Sequence, residues 1–365
     1  MFADVDLRKL AEMTAPERVF LSVYLAGPHS ATELEKRFQK VRRVLRSGGA
    51  EKDEREHFDE NVKAVHTYLE RSEFNSGSLC IFSCWALDFF QAIPLTAPVK
   101  NLVWIDSSPY IRPLAEIREE YENVAVVVAD NKKARIFLVS SAVAGSEEIV
   151  KGNVKNHVRK GGWSQQRYER RRDKQLLLYG REIVDALEKL HGEERFRRIL
   201  LVGGKEILHI VHENLSQALR NMVSEKALDL HKGEGAVNQD IMELFFERER
   251  QSERDLWETI RDRYLCCGLG AVGLEEVLVA SKTGRVEAMI VNRTFQPEGR
   301  RCRDCDNLDI GAVEVCSACG SKSLFEIDVV NEIVEMLERS GAEADFADPI
   351  PTLVEAGEIA ALLRY

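Results

Sequence analysis

Short apolar blocks alternate with charged stretches of helical period along the whole chain. Residues 18–25 (RVFLSVYL) read as a strand, with Gly27-Pro28 as its breaker. Residues 32–45 follow as an amphipathic helix, with Thr32 as its N-cap and Ser47-Gly48-Gly49 as its end. Residues 53–71 form a second charged helix, and residues 79–84 a buried strand. Further on, Val124–Ala129 (VAVVVA) and residues 134–139 (ARIFLV) are two strand signals. The polar Asp130-Asn131-Lys132-Lys133 between them predicts a hairpin. Residues 170–190 read as a long helix with Leu177, Ile183, Val184 and Leu187 near one face. Residues 198–202 are a strand closed by Gly203-Gly204. Such a turn into a helix can bind phosphate, but two glycines alone point to a tight turn. Residues 241–263 are a long charged helix, and residues 270–280 (GAVGLEEVLVA) read as a helix end followed by a strand. Residues 328–340 are a helix with Val329, Ile333 and Leu337 spaced by four, and Ile359–Leu363 is a closing strand.

Strands alternating with helices indicate an α/β layer fold. The length of 365 residues divides it into more than one domain. Three α/β domains are expected: residues 1–122, residues 123–236, and residues 237–365 with a ribbon inserted at 302–319. Apolar residues at 44% and charged residues at 31% belong to a globular chain, not a disordered one. The start, residues 1–10, is charged, and no apolar run approaches the ~20 residues of a membrane helix. A soluble, cytoplasmic protein without a membrane partner is the expectation.

The formal net charge of -10 argues against nucleic acid, but its distribution reverses the inference. Residues 151–174 hold nine Lys/Arg against two Asp/Glu, a local charge of +7, so the remainder carries -17. Within this segment lie Arg159, Lys160, Gly161, Gly162, Trp163, Ser164, Gln165, Gln166, Arg167, Tyr168, Arg170, Arg171 and Arg172. The glycines permit close backbone approach, the cations screen RNA phosphates, and Trp163 and Tyr168 can stack on bases. Gln165 and Gln166 add amide donors and acceptors. The residues describe an RNA-inserting loop; a charged loop ahead of a charged helix is the plainer alternative.

Of eight cysteines, Cys302, Cys305, Cys316 and Cys319 form two CxxC pairs, which supply four thiolates suited to tetrahedral, structural Zn2+. Gly311 and Gly320 suit the turns. Cys80, Cys84, Cys266 and Cys267 sit in or beside apolar segments and are expected as small buried hydrophobes.

The basic segment resembles the loop of class-1 peptide-chain release factors of archaeal and eukaryotic type, which reads close to H-R-K-G-G-Q-S-Q-R-R-F-E-R. Arg159-Lys160-Gly161-Gly162 match its first part; Ser164-Gln165, Arg167, Tyr168 and Glu169-Arg170 match the later part. The hairpin at 124–139, Gly203-Gly204, the cysteine quartet and the ending Gly357-Glu358-Ile359-Ala360-Ala361-Leu362-Leu363-Arg364-Tyr365 extend the resemblance along most of the chain. It implies a divergent member related to Pelota, Vms-type and Balon-like ribosome factors. The expected partners are the ribosomal A site and its rRNA, tRNA, and a translational GTPase.

Two departures qualify what the resemblance implies. Where the family places a catalytic glutamine directly after Gly-Gly, this chain has Trp163, whose single N–H donates and which accepts nothing. Where the family reads stop codons through Asn-Ile-Lys-Ser, this chain has Ser47-Gly48-Gly49-Ala50-Glu51-Lys52-Asp53. Three readings stay open. The first is an A-site occupant acting in ribosome rescue or hibernation without stop-codon decoding. The second is a peptidyl-tRNA hydrolase using Gln165 or Gln166. The third is a general RNA-binding protein.

Overall fold

A computed structural model describes residues 6–15, 17–47, 52–72, 74, 77–95, 97–120, 124–130, 133–140, 143–151, 163–193, 196, 198–227 and 234–365. The chain has a multidomain α/β fold with two compact units. Glu120–Glu247 forms one unit; Met1–Glu119 and Arg248–Tyr365 together form the other.

The discontinuous unit opens with α1 (Leu7–Ala11) and β1 (Phe20–Leu25). Next come α2 (Ala31–Ser47), α3 (Lys52–Arg71), β2 (Ser78–Cys84), β3 (Phe89–Leu95), β4 (Leu102–Asp106) and α4 (Arg112–Glu120). The four strands pair antiparallel in the order β3-β2-β1-β4, with Val23 opposite both Ile81 and Val103. One face of this sheet offers Leu21, Val23, Leu25 and Ile81 to Leu34 and Phe38 of α2 and to Phe58, Val62 and Val65 of α3. The other face is also buried. Ser22 accepts from the Tyr110 N–H at 2.9 Å, and the Tyr24 hydroxyl donates to the Tyr110 carbonyl at 2.6 Å. Burial on both sides is why β1 is apolar almost throughout. Thr32 is not the N-cap expected of it: a 3-10 turn over Pro28–Ser30 leads into α2 one residue earlier, at Ala31.

The continuous unit holds β5 (Val124–Ala129), β6 (Lys133–Ser140), β7 (Val143–Lys151), α5 (Trp163–Glu193), β8 (Arg198–Gly203), α6 (Lys205–Asn214), α7 (Gln217–Arg220) and β9 (Val223–Ala227). Its sheet runs β7-β6-β5-β8-β9: β5, β6 and β7 are antiparallel, and β5, β8 and β9 parallel. The predicted hairpin is thus β5–β6. Leu176, Tyr179, Ile183, Val184, Leu187 and Leu190 form the inward stripe of α5 against Ala125, Val127, Ile136 and Leu201. Leu177, expected on that stripe, is 37% exposed, beside the still more exposed Leu178. Gly180 lies on the stripe because α6 crosses there, and a Cβ would meet Ile210 Cγ2 at 2.5 Å. Gly203, at φ +147°, brings β8 against β5 so closely that a Cβ would sit 1.9 Å from the Ala129 carbonyl oxygen. The double glycine therefore serves backbone packing.

Helix α8 (Glu234–Cys267) carries the chain back into the discontinuous unit. It is followed by β10 (Gly270–Val272), α9 (Leu274–Lys282), β11 (Val286–Asn292), β12 (Glu298–Cys302), β13 (Leu308–Ile310), β14 (Leu324–Asp328), α10 (Val329–Ser340), β15 (Glu343–Ala347), α11 (Pro351–Glu355) and β16 (Ile359–Leu363). The expected order at residues 270–280 is reversed: a short strand precedes a helix. Gly273 starts that helix, and Glu275 and Glu276 place negative charge on its positive first turn. The main sheet runs β10-β16-β11-β15, with β11 and β15 parallel.

Helix α10 is buried almost all round. Val330, Ile333, Val334 and Leu337 supply its apolar stripe, while Asn331, Glu332 and Glu335 are also closed off from water. The segment after β4 covers this polar side. Asn331 Oδ1 accepts from the N–H groups of Ile111 and Arg112 at 2.9 and 3.0 Å. Glu335 Oε1 accepts from Ser108 Oγ at 2.7 Å and from Asn331 Nδ2 at 2.8 Å. Burial pushes the Glu332 carboxyl up to about 7, against the pull of Arg301. Burial, reinforced by Glu332, raises Glu335 further. A carboxyl held above its unfolded value stabilises the fold below that unfolded value and loses the contribution as pH rises through the folded one. The expected result is lower urea stability at pH 8 than at pH 5. Glu335→Gln keeps the acceptor for Ser108, so it should unfold at higher urea than the parent at pH 8 and near the parent at pH 5. An equal shift at both pH values would rule out a buried acid as the cause.

Candidate functional site

The basic segment enters the structure at the start of α5. Arg159, Lys160, Gly161 and Gly162 lie outside the described residues. Trp163, Ser164, Gln165 and Gln166 are the first four residues of α5, and Arg167 and Tyr168 continue it. The sequence places the helix start at residue 170; it begins seven residues earlier. Past Gly162 no glycine or proline interrupts the chain until Gly180, and glutamine and arginine are good helix formers. The first N–H groups of a helix have no partner within it and carry the positive end of its dipole. Gln165 and Gln166 are thus mounted on an element that is itself electropositive.

Next along α5, Arg170 and Arg171 are exposed and make no ion pair among the described residues. Arg172 pairs with Glu206 on α6. Lys174 is exposed as well, one helical turn beyond Arg170. The described cations therefore sit on the solvent side of a helix whose opposite stripe is locked into the core. An anchored helix presents side chains in fixed register, which a free loop cannot do.

The cysteine quartet forms a separate site in the discontinuous unit. Its scaffold is a three-stranded antiparallel sheet in the order β13-β12-β14. Cys302 ends β12, and Cys305 follows in a turn closed by the Asp306 N–H donating to the Cys302 carbonyl at 2.9 Å. A matching turn is closed by the Gly320 N–H on the Cys316 carbonyl at 3.0 Å. Gly320 and Gly311 take positive φ, as their turns require. All four sulfurs lie within 4.8 Å of one another, with Cys302–Cys319 at 3.5 Å and Cys305–Cys316 at 3.6 Å. Four thiolates at a tetrahedral zinc bond length have sulfur separations of about 3.8 Å. The four cysteines can hold a metal ion. N–H groups of Cys319 and Ala318 directed at the Cys316 sulfur lower that thiol to about 7, whereas hydrogen bonds with the neighbouring thiols raise Cys305 and Cys319.

The cysteine-bearing segment also reaches beyond its own sheet. Arg301 Nη1 donates to Ser107 Oγ at 2.8 Å and lies 3.3 Å from Glu332 Oε1. Arg303 Nη2 donates to Glu54 Oε2 on α3 at 3.0 Å. Arg18 and Arg303 both lie over the Phe325 ring, at 5.5 and 5.2 Å from its centroid. Sequence reasoning missed these arginines, since nothing in Cys-Arg-Asp-Cys tells where an arginine points. Cys80 and Cys84 are buried as expected, whereas Cys266 and Cys267 are exposed at the end of α8. Among the described residues no helix is long and apolar enough to cross a membrane.

Comparisons with known proteins find similarity to release factors. Residues 109–245 match the model of bacterial archaeo-eukaryotic release factor family 10. Peptide chain release factor subunit 1 of Methanococcoides burtonii is 22% identical over 290 residues, covering 71% of this chain and 70% of that protein. The same subunit from Thermococcus kodakarensis is 24% identical over 309 residues, again covering 71% and 70%. Among solved structures, Dom34 of Saccharomyces cerevisiae is described as a translation termination-like factor involved in RNA quality control pathways and interacting with Hbs1. It aligns over 76% of this chain and 73% of its own, at 14% identity and a TM-score of 0.41. The family match covers nearly all of the continuous unit that carries α5, and over about 70% of its length the chain is similar to archaeal peptide chain release factor subunit 1.

Proposed function

We propose that this protein is a ribosome-associated factor that occupies the A site and acts in ribosome rescue or hibernation without reading stop codons. The observation that carries the reading is the start of α5: the release-factor-like segment runs into a core-anchored helix whose exposed Arg170 and Arg171 have no acidic partner among the described residues. In this reading residues 159–172 contact ribosomal RNA and tRNA near the peptidyl-transferase centre, with phosphate neutralisation supplying the affinity. Residues 1–122, 123–236 and 237–365 act as decoding-side, centre-side and GTPase-facing segments. The cysteine quartet holds structural zinc in a ribbon; the metal, when bound, fixes the two turns, and Arg301 and Arg303 extend that rigidity to β4 and α3.

The second reading is hydrolysis of peptidyl-tRNA. It is favoured by Gln165 and Gln166 lying in the first turn of α5, where unpaired N–H groups suit a developing oxyanion. One set of ribosome experiments separates the two. Arg170→Glu/Arg171→Glu should reduce cosedimentation with ribosomes about tenfold and flatten its salt dependence. Ribosomes loaded with peptidyl-tRNA should retain their peptide in the presence of the parent protein. Peptide release that disappears with Gln165→Ala or Gln166→Ala would instead establish the hydrolytic reading. Absence of cosedimentation at low salt would leave general RNA binding.

A further inference from the structure

The cysteine quartet is more open than holding a structural metal requires. Cys302 and Cys316 are buried, whereas Cys305 and Cys319 are exposed. Each CxxC turn thus supplies one sheltered and one accessible sulfur. The short separations run across the two turns, Cys302–Cys319 at 3.5 Å and Cys305–Cys316 at 3.6 Å. Both close pairs therefore join an accessible sulfur to a sheltered one. The two turns are also tied together without any sulfur. Asn307 Nδ2 donates to Ser317 Oγ at 3.1 Å and to Asp309 Oδ1 at 3.0 Å, and the Ser317 N–H donates to Asp309 Oδ2 at 3.2 Å. The Cys302 N–H donates to the Asn307 carbonyl at 2.9 Å, and the Cys316 N–H to the Ser321 carbonyl at 2.8 Å.

We propose that the quartet is a reversible oxidation site for a peroxide, with Cys319 and Cys305 as the reacting sulfurs and Cys302 and Cys316 as their resolving partners. The Cys319 thiolate attacks one oxygen of hydrogen peroxide. The O–O bond breaks, hydroxide leaves and the sulfur becomes a sulfenic acid. The Cys302 thiolate then attacks that sulfur, the S–S bond forms and the oxygen leaves as a second hydroxide. Two thiolates, two protons and one peroxide give one disulfide and two waters: sulfur is oxidised and peroxide reduced. Cys305 and Cys316 follow the same course. Bringing 3.5 Å to the ~2 Å of a disulfide asks for a displacement of about 1.5 Å. A sulfur held in a disulfide offers no thiolate, so oxidation removes the ligands of the metal. The metal in this proposal rests on the zinc reading given above; the disulfide pairing does not. The bridge through Asn307, Asp309 and Ser317 keeps the two turns adjacent while no ligand joins them, so each disulfide forms with its near neighbour. A dithiol reductant returns the four thiols by exchange. Cys80 and Cys84 are both buried, so peroxide does not reach them.

The test uses the full chain carrying Cys266→Ser/Cys267→Ser, which removes the two exposed thiols outside the quartet. Zinc content is measured first. Hydrogen peroxide is then added at neutral pH while a chromophoric chelator reports released zinc. Cleavage at Arg303 and Glu314 without reduction separates Cys302, Cys305 and the segment holding Cys316 and Cys319 for mass spectrometry. Zinc release should reach about one per chain. Fragment spectra should join Cys302 to Cys319 and Cys305 to Cys316, with Cys80 and Cys84 still thiols. Dithiothreitol with added zinc should restore the starting zinc content. Disulfides within one turn, Cys302–Cys305 or Cys316–Cys319, would overturn the proposal. So would zinc that stays bound, oxidation that stops at single sulfurs without a disulfide, or Cys80 and Cys84 reacting as fast as the quartet. A chain that carries no zinc at the outset defeats the zinc reading alone, because the same peptide map then decides the oxidation site on the free thiols.

Discussion

Arg112→Met should destabilise the discontinuous unit by about 3–5 kcal/mol, the largest effect expected of any single substitution here. The Arg112 side chain is only 2% exposed and all of its donors are used. Nε donates to Glu116 at 2.9 Å, Nη1 to Asp328 Oδ2 at 3.1 Å, and Nη2 to the carbonyls of Arg293 and Phe295 at 3.2 and 3.0 Å. Methionine fills part of the volume but leaves these acceptors without a donor in a place water does not reach. Asp328 also accepts from the Tyr110 hydroxyl at 2.7 Å and caps α10 through the Val330 and Asn331 N–H groups. One lost cation therefore strands a carboxylate that organises a helix start and a tyrosine. Urea unfolding followed by intrinsic fluorescence measures the effect. Arg8→Ala is the control: its pair with Glu12 is exposed on both sides, and its loss should cost at most about 0.5 kcal/mol. Equal small effects for both would show that the buried network does not hold the unit together.

Cys302→Ser should remove the bound metal and lower stability by several kcal/mol, on the order of 3 or more. The parent, purified without chelator, should carry one zinc per chain by mass spectrometry of the metal, and the variant none. The loss should extend beyond β12–β14, because Arg301 and Arg303 flank Cys302 and hold Ser107 and the buried Glu54. Hydrogen exchange in α3 and at the end of β4 should therefore rise in the variant. Exchange that rises only within residues 298–328 would confine the metal to its own ribbon. A metal-free parent, unchanged by a strong chelator, would remove zinc from the proposal.

The basic segment, the two CxxC pairs and the family resemblance were readable because each is carried by residues adjacent in the chain. Such signals survive without a structure: a charge block remains a charge block, and cysteine spacing dictates a turn. The β5–β6 hairpin was legible for the same reason, as an apolar run, a polar turn and a second run. Strands β3, β4 and β7 were not. Residues 89–95 (FFQAIPL) lack strict alternation and carry Pro94, which is tolerated because β3 is the end strand of its sheet. The early start of α5 was hidden by the glycines before it, which read as loop until the helix propensity of the next residues is weighed.

Local order alone carried the β5–β6 hairpin, the CxxC spacing that lets the cysteines meet, and the charge block at residues 151–174. Tertiary structure decided that residues 1–119 and 248–365 share one body. Asn331, Glu332, Glu335 and Glu338 lie along one side of α10, where a sequence pattern reads them as a water-facing stripe. Asn331, Glu335 and Glu338 are covered instead by Ser108, Ile111, Arg112 and Arg118, more than two hundred residues earlier. Polar contacts at that separation leave no periodic trace, because each partner alone has the composition of a solvated surface.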